Sequence, residues 1–279
     1  MKQTIKKFIE SGTLFLAQIG LIDLLYLAHK NIGIARTGDF RVSGEKFFIQ
    51  NILPQIFGSK TPVIFDVGAN KGEYSKFVRE TFPAAKIYSF EPNPHSFKAL
   101  PKEIKDSGTK AFNIGFSAKS QDMPIFIDEN DKTTERASLY KETLNNEKKF
   151  SKKIRAKLST LDNFTTENKI DCIDFLKIDV EGHELEVLRG ATRLIKEKNL
   201  GAIQFELSVI DVAVRVFLKD FYEILPGFEF YRIGQGFLVK LSEYDPINEI
   251  FRLHNILAIS KPTKITGKIK NKRGLPIRL

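Results

Sequence analysis

Two acidic residues, Asp66 and Glu91, each stand at the end of an apolar run in the sequence. The first run leads through Gly68 and Gly72 into a helical pattern, which is typical of a buried parallel strand joined to a helix by a ligand-binding turn. The second run ends 25 positions later. A carboxylate at the tip of a second strand is well placed to accept hydrogen bonds from both hydroxyls of a ribose. The pattern therefore predicts a cofactor that contains a nucleoside.

The spacing of the glycines bears on which cofactor this is. A dinucleotide fingerprint needs G-x-G-x-x-G so that the backbone can approach a pyrophosphate, whereas Gly68 and Gly72 have three residues between them. Asp66, just before the turn, suits cationic groups such as the ammonium and sulfonium of S-adenosylmethionine and would repel a diphosphate. The residues alone favour S-adenosylmethionine over a dinucleotide, and they leave open a non-catalytic α/β domain.

The composition is that of a globular protein with a basic excess. The 279 residues are 42% hydrophobic and 28% charged, with 24 Phe and no Trp, and the net charge is +10. The single cysteine, Cys172, excludes an intramolecular disulfide and a cysteine metal cage. The charge favours anionic partners, but the basic tail at residues 261–279 lacks the interleaved aromatic residues that stack on bases. Nucleic acid is therefore not the preferred partner.

The pattern along the chain predicts three parts. Residues 1–58 read as a helical extension, in which the apolar stretch from Leu14 to Leu27 is interrupted by Gln18 and Asp23. That stretch is too short to span a bilayer and lacks a cleavage site, so we expect an amphipathic helix packed on the domain or a partner, with a membrane surface as an alternative. Residues 59–260 form the second part, and the basic tail forms the third.

Strands and helices alternate through residues 59–260, which predicts a parallel sheet covered on both faces. The third strand is expected at Lys110–Phe116 and the fourth at Cys172–Ile178. Residues 117–160 interrupt the alternation and are interpreted as an insertion near the ligand. Its polar segment, residues 128–150, is expected to form a mobile loop over the acceptor site.

Four ordered motifs add a resemblance to this reading. FDVGANKGEYS, SFEPNPHSFKAL, LSTLDNF and IDFLKIDVEGHELEVLRGA, spread from about residue 60 to 206, are similar to those of the FkbM-type methyltransferase family. The resemblance implies an α/β fold with a Rossmann-like seven-stranded methyltransferase sheet, mostly parallel with an antiparallel last strand, behind the N-terminal helical extension. It also implies S-adenosylmethionine-dependent O-methylation, often of sugar hydroxyls in glycans, glycolipids or antibiotics.

The resemblance also assigns roles to individual positions. The residues implied for the cofactor are the loop residues Asp66, Gly68, Asn70 and Gly72, the ribose acceptor Glu91 with Pro92 and Asn93 behind it, and Phe116 and Ser117 around the adenine. Asp179, Glu181 and His183 fall at the tip of the fourth strand beside the methyl group, and Asp179 is expected to contact the cofactor as well. Other readings stay open, with Asp66 as a helix cap, Phe116 as core, and Glu181 and Glu184 as first-turn acids.

Methyl transfer to an alcohol needs a base, because the hydroxyl is a poor nucleophile until its proton leaves. His183, Asp179, Glu181 and Glu206 are the candidates, and His183 has the ordinary pKa nearest neutrality. An alternative is that the acids hold a divalent ion, although no metal is expected.

Two other functions remain open. One is a silent methyltransferase fold that binds an anionic glycan. The other is a nucleic-acid methyltransferase, whose Asn-Pro-Pro-aromatic signature is absent. We expect a cytoplasmic protein, with the inner face of the membrane as an alternative location. The acceptor is expected to be a small molecule or a glycan, phosphorylated or lipid-linked in some readings.

Overall fold

The computed structural model describes residues 11–20, 23–34, 43–100, 104, 108–127 and 152–261. The expected loop at residues 128–150 and almost all of the basic tail lie outside these residues. The strands are β1 (Val63–Val67), β2 (Lys86–Phe90), β3 (Lys110–Phe112), β4 (Gly115–Phe116), β5 (Gln121–Ile127), β6 (Lys152–Ser159), β7 (Ile173–Ile178), β8 (Leu200–Leu207), β9 (Phe228–Gly234), β10 (Phe237–Leu241) and β11 (His254–Ser260).

Short helices connect these strands. They are α1 (Leu24–Asn31), α2 (Glu45–Phe47), α3 (Leu53–Phe57), α4 (Glu73–Thr81), α5 (Pro94–Ala99), α6 (Leu161–Glu167), α7 (Glu184–Arg189), α8 (Thr192–Lys196), α9 (Ile210–Val214) and α10 (Leu218–Ile224). A further helical stretch occupies residues 11–18. A π-helical turn, Phe48–Ile52, joins α2 to α3, and a 3₁₀ turn covers Pro246–Asn248. In the described part of the chain, no helix is both long and apolar enough to cross a bilayer.

The main sheet has eight strands in the order β10-β9-β11-β8-β7-β1-β2-β3. β3, β2, β1, β7 and β8 run parallel, and β11 is antiparallel to both β8 and β9. The expected class, a mostly parallel Rossmann-like methyltransferase sheet with an antiparallel last strand, is confirmed. The strand beyond the expected seven is β10, which forms a hairpin with β9 at the edge of the sheet.

The third strand is shorter than expected. Residues 110–112 pair with β2, whereas residues 115–116 leave the sheet as β4 and pair with β6. The chain turns away at Asn113, whose side-chain amide donates to the backbone carbonyls of Glu91 and Pro92 at 2.7 and 3.2 Å. β4, β6 and β5 form a separate three-stranded sheet, of which β5 and β6 belong to the expected insertion at residues 117–160.

The segment before β1 belongs to the core of the sheet. Phe48, Ile49, Ile52 and Leu53 are fully buried against side chains of β1, β7 and β9. The π turn accompanies Pro54, which lacks the N–H needed for a regular helical hydrogen bond. The opposite face of the sheet is covered mainly by α6, α7 and α10. The sheet is therefore buried on both faces, and its carboxyl edge is left to form a site.

Candidate active site

The loops that follow β1, β2 and β7 are joined by backbone hydrogen bonds at the carboxyl edge of the sheet. The N–H groups of Gly68 and Ala69 donate to the carbonyl oxygen of Phe90 at 3.0 and 2.9 Å. The N–H of Asp179 donates to the carbonyl oxygen of Val67 at 2.9 Å. The ends of three neighbouring strands are thus held in fixed positions around one point.

Only glycine fits at position 68. Its φ is +85°, and a Cβ there would lie 1.8 Å from the carbonyl oxygen of Asp179, far inside contact distance. Gly72 also has a positive φ, +80°, and a Cβ there would meet the side chains of Leu100 and Ile104. The two glycines therefore let the loop after β1 pass close to the loop after β7 and then turn into α4.

Glu91 lies at the tip of β2 with both carboxylate oxygens engaged by backbone donors. The N–H of Asn70 donates to Oε2 and the N–H of Asn93 to Oε1, each at 2.8 Å. Burial raises the pKa of Glu91 to about 7, although these two hydrogen bonds act in the opposite direction. Each carboxylate oxygen has a second lone pair, so the group can still accept hydrogen bonds from a diol.

The surroundings of Glu91 explain the motif that follows it. Asn93 is fully buried and caps α5, since its Oδ1 accepts from the N–H of His95 at 3.0 Å and its Nδ2 donates to Ser96 at 3.1 Å. Pro94 takes the first position of that helix, as the sequence predicts. Pro92 contributes its carbonyl oxygen to Asn113 at 3.2 Å. In this structure Asn93 and Pro92 shape the turn that holds Glu91.

Asp66 is bound within the protein rather than facing open solvent. It is 2% exposed, and its Oδ2 accepts from the hydroxyl of Ser75 on α4 at 2.6 Å. Ser75 in turn shares a hydrogen bond of 2.6 Å with Ser89 on β2. Burial raises the pKa of Asp66, while the charge of Lys177 and the bond from Ser75 oppose that rise. Its contact with the cofactor stays a prediction.

A buried polar row crosses the sheet beside Asp66. In the strand register Ser89 stands opposite Asp66, Asp66 opposite Lys177, and Lys177 opposite Gln204, so the four side chains point to one face. The Nζ of Lys177 lies 2.7 Å from Asp179 and 4.8 Å from the ring centre of Tyr74.

The charge of Lys177 is balanced by several acids. Its Nζ lies 3.7 Å from Glu45, the first residue of α2. Burial alone lowers the pKa of a lysine, but Asp179, Glu45 and Asp66 together raise that of Lys177 above its ordinary value. Lys177 is therefore a buried cation, and it holds the side chain of Asp179 at the strand tip.

Lys177 and Glu45 belong to this site but were not predicted from the sequence. Gln204 completes the row, accepting from the hydroxyl of Tyr74 at 2.8 Å and donating to Glu45 at 2.8 Å and Asn255 at 2.9 Å. The sequence feature that could have identified them is a lysine inside an apolar strand. Lysine is almost never fully buried unless it is paired, so such a lysine predicts a nearby acid.

His183 lies inside the structure and not at its surface. It is 3% exposed, and its Nε2 shares a hydrogen bond of 3.0 Å with the hydroxyl of Ser117. Burial lowers the pKa of His183 to about 4, although the charge of Glu186 acts in the opposite direction. The imidazole is therefore neutral at physiological pH and links the loop after β7 to the small sheet. Its role as the base stays a prediction.

The other residues implied for the adenine and the strand tip also have defined places. Phe116 is 2% exposed and packs edge-to-face on Phe90, with ring centres 4.7 Å apart. It belongs to the core, and contact with adenine stays a prediction. Glu181 has a positive φ of 56° in the turn after β7, and Glu184 is buried and accepts from the N–H of Val180 at 2.9 Å.

Asp179 and Glu181 are partly exposed acids of this group. The side chain of Asp179 is 36% exposed, in contrast to 6% for Lys177. Glu206, at the end of β8, has a pKa well above the ordinary value, chiefly because of burial and then because of the charges of Asp179 and Glu181. Among the residues that the structure describes, no three His, Cys, Asp or Glu side chains are grouped as metal ligands. The arrangement offers the partly exposed carboxylates of Asp179 and Glu181 beside a hydrogen-bond acceptor for a diol.

Comparisons with known proteins identify the family of the chain. Residues 66–230, more than half of the chain, match the family model described as the Methyltransferase FkbM domain. Methyltransferase sdnD of Sordaria araneosa is 30% identical over 187 residues, which cover 57% of this chain and 72% of that protein. Hexuronic acid methyltransferase AglP of Haloferax volcanii is 27% identical over 183 residues, which cover 63% of this chain and 67% of that protein.

Solved structures also match the chain, but with lower sequence identity. The crystal structure of Methyltransferase FkbM from Methylobacillus flagellatus has a TM-score of 0.42 and 15% identity. The match covers 71% of this chain and 43% of that chain, so this chain spans less than half of that protein.

Proposed function

Because the chain belongs to the FkbM methyltransferase domain family, it is a methyltransferase, and we propose that it transfers the methyl group of S-adenosylmethionine to a sugar hydroxyl. The observation that carries the proposal is the carboxylate of Glu91, fixed at the tip of β2 by two backbone N–H groups at 2.8 Å. Its remaining lone pairs suit the two hydroxyls of a ribose.

The loop after β1 also suits S-adenosylmethionine as the methyl donor. The side-chain Oδ1 of Asn70 is buried without a hydrogen-bond partner, so a ligand that brings donors would satisfy it. Burial is the main reason that the pKa of Glu91 is raised, and the charges of Asp66 and Asp179 add to it. Such a concentration of negative charge favours a cationic ligand over a diphosphate.

Asp179 is the proposed base. S-adenosylmethionine supplies an electrophilic methyl group on a sulfonium, and the protein must align the acceptor hydroxyl and take its proton. Asp179 is accessible at the tip of β7, and the buried ammonium of Lys177 at 2.7 Å limits its conformations. Glu181 follows in the same loop and is the alternative base. His183 is proposed as a positioning residue, because the hydrogen bond of 3.0 Å between its Nε2 and the hydroxyl of Ser117 holds that loop in place.

The acceptor is proposed to be a hydroxyl of a glycan, glycolipid or related metabolite. The support is chemical and comparative, since one relative of 27% identity is named a hexuronic acid methyltransferase and the net charge of +10 favours an anionic acceptor. We further propose residues 59–260 as the catalytic domain with the insertion at 117–160, preceded by the extension at 1–58 and followed by the basic tail. A cytoplasmic location is part of the same proposal.

The test is transfer of a labelled methyl group to sugars, lipid-linked sugars and RNA. We expect label on a sugar acceptor. Label on RNA alone, or on none of the acceptors, would overturn the proposal. Asp179→Asn should lower turnover by about 10²–10⁴-fold, whereas Asp171→Asn, exposed just before the opposite end of the same strand, should not. Normal turnover in Asp179→Asn would place the base elsewhere.

A further inference from the structure

The small three-stranded sheet has two unlike faces. One face is apolar, and Ile125, Ala156 and Leu158 are buried on it. We call the other the basic face, and its six side chains stand opposite one another in the strand register: Asp122 with Lys157, Pro124 with Arg155, and Phe126 with Lys153. Phe126 is half-buried, and the other five are exposed. The basic face is therefore open to a partner.

Positive charge dominates the small sheet. Its three strands and the loop between β4 and β5 hold one acid, Asp122, and five exposed basic residues, which are Lys119, Lys152, Lys153, Arg155 and Lys157. Asp122 lies 2.8 Å from Arg155, whose side chain is 81% exposed and keeps further N–H groups for a ligand. No lysine of this sheet forms an ion pair with an acid among the residues that the structure describes.

The acids of the neighbouring helices are engaged elsewhere or lie apart. Asp162, in the first turn of α6, accepts from two backbone N–H groups of α8 at 2.7 and 3.1 Å. Glu186 on α7 forms an ion pair with Arg189. Glu167 stands at the end of α6, whereas α6 contacts the small sheet through its beginning. The positive charge of the basic face is therefore offset only in part.

The basic face begins beside the candidate active site. Ser117, which shares the hydrogen bond of 3.0 Å with His183, donates its N–H to the carbonyl oxygen of Ser159 at 2.9 Å. Ser159 ends β6, and Lys157 lies two residues before it, about 7 Å along the strand. The other two cations of the face follow at the same interval. The three cations thus form a row that starts near the candidate active site and leads away from it.

The composition of the face selects the occupant. A bilayer would need apolar side chains that enter it, but every exposed large hydrophobic side chain of the described residues lies outside this sheet. Single-stranded nucleic acid would need aromatic rings for its bases. Phe126 is the one aromatic side chain of the six, and the Nζ of Lys153 lies 5.3 Å from its ring centre. An acidic glycan needs neither feature, since its carboxylates pair with cations and its hydroxyls bind water.

We propose that the basic face binds an acidic glycan chain and holds it so that its terminal sugar reaches the candidate active site. Carboxylates along the chain pair with Lys157, Arg155 and Lys153 in turn. The attraction acts between exposed charges, so it weakens as the ionic strength rises. This inference rests on the proposed function, because it specifies where the acceptor is held.

Calorimetric titration with an oligogalacturonate, at low ionic strength and without a methyl donor, tests the basic face. The wild type should bind this acidic glycan and should not bind a neutral maltooligosaccharide of the same length. The triple variant Lys153→Gln/Arg155→Gln/Lys157→Gln changes exposed side chains only, so it should stay folded. It should bind oligogalacturonate at least about tenfold more weakly, because three charged contacts are lost.

The matched control is Lys76→Gln/Lys86→Gln/Lys196→Gln. These three lysines are exposed on α4, β2 and α8, so the control has the same net charge as the triple variant. It should bind oligogalacturonate like the wild type. Equal losses of affinity in the two variants would show that binding follows net charge alone, and they would overturn the basic face as a site.

The remaining outcomes also decide the proposal. Failure of the wild type to bind oligogalacturonate would overturn it. Tighter binding of single-stranded RNA or of phosphatidylglycerol vesicles, lost in the triple variant, would overturn the glycan as the occupant. Titration with S-adenosylmethionine separates this inference from the proposed function. A wild type that binds the donor but not the glycan contradicts the inference alone, whereas one that binds neither contradicts both.

Discussion

Replacing Glu91 with glutamine should stabilise the ligand-free protein at high pH while it impairs donor binding. The carboxyl has an ordinary pKa of 4.5, and burial raises it to about 7 in the folded protein. A group whose pKa is raised by folding favours the folded state below its unfolded pKa, and that contribution is lost as pH rises. The wild type therefore loses stability between about pH 4.5 and pH 7, and Glu91→Gln should not.

The magnitude follows from the two pKa values. Between about pH 5 and pH 8 the wild type should lose roughly 2.5 kcal/mol relative to the variant. Against this, an amide has one acceptor oxygen where the carboxylate has two, so one of the bonds from Asn70 and Asn93 is lost, at a cost of about 1 kcal/mol. The variant should thus be about 2 kcal/mol more stable than the wild type at pH 8 and close to it at pH 5.

Urea unfolding followed by circular dichroism measures this difference, since the chain has no Trp for fluorescence. Glu167→Gln, at an exposed position on α6, is the control. Its free energy of unfolding should vary with pH in the same way as that of the wild type. A difference in unfolding free energy between Glu91→Gln and wild type that stays constant from pH 5 to pH 8 would show that the pKa of Glu91 is not raised by folding. Adding S-adenosylhomocysteine should stabilise the wild type more than the variant.

Three further predictions concern the loops and the buried row. Gly68→Ala should destabilise the protein by about 1–3 kcal/mol more than Gly108→Ala. Both positions have a positive φ, but a Cβ at position 108 would have no neighbour within 4 Å. Equal losses of unfolding free energy in urea would contradict the close approach of the loops. Lys177→Met should lower the free energy of unfolding by about 3–5 kcal/mol, because it leaves buried carboxylates without their cation. Adding Glu45→Gln should restore about 1–3 kcal/mol in a double-mutant cycle. Additive losses would show that the two side chains do not interact. The pKa of His183 of about 4 predicts that His183→Ala leaves the midpoint of the pH–activity profile unchanged. A midpoint near about 6.5 that disappears in His183→Ala would contradict the burial of this histidine.

The sheet could be predicted from the sequence because its strands are short apolar runs bounded by turn residues. The third strand could not be delimited in this way, since Asn113 stands within an otherwise continuous pattern. Its departure from the sheet depends on carbonyl groups more than 20 residues earlier in the chain. The π turn before β1 was likewise hidden, because it changes which side chains face the core without changing the composition of the segment.

The site was predictable where a motif carries backbone requirements. Gly68 and Gly72 have positive φ angles and neighbours too close for a side chain, and Glu91 stands directly after a strand, so the spacing was informative. The polar row was not predictable, because it joins Glu45 before the sheet with Lys177 inside it, and the contact depends on strand register. The ordinary pKa of a histidine gave no indication that His183 is buried.

The central claim is that Glu91 holds the ribose of S-adenosylmethionine, and calorimetric titration tests it most directly. We expect micromolar binding of S-adenosylmethionine and of its demethylated product. Glu91→Ala should lose about 1.5–3 kcal/mol of binding free energy, and NAD should give no heat. Clear binding of NAD with none of S-adenosylmethionine, or an unchanged dissociation constant in Glu91→Ala, would contradict it.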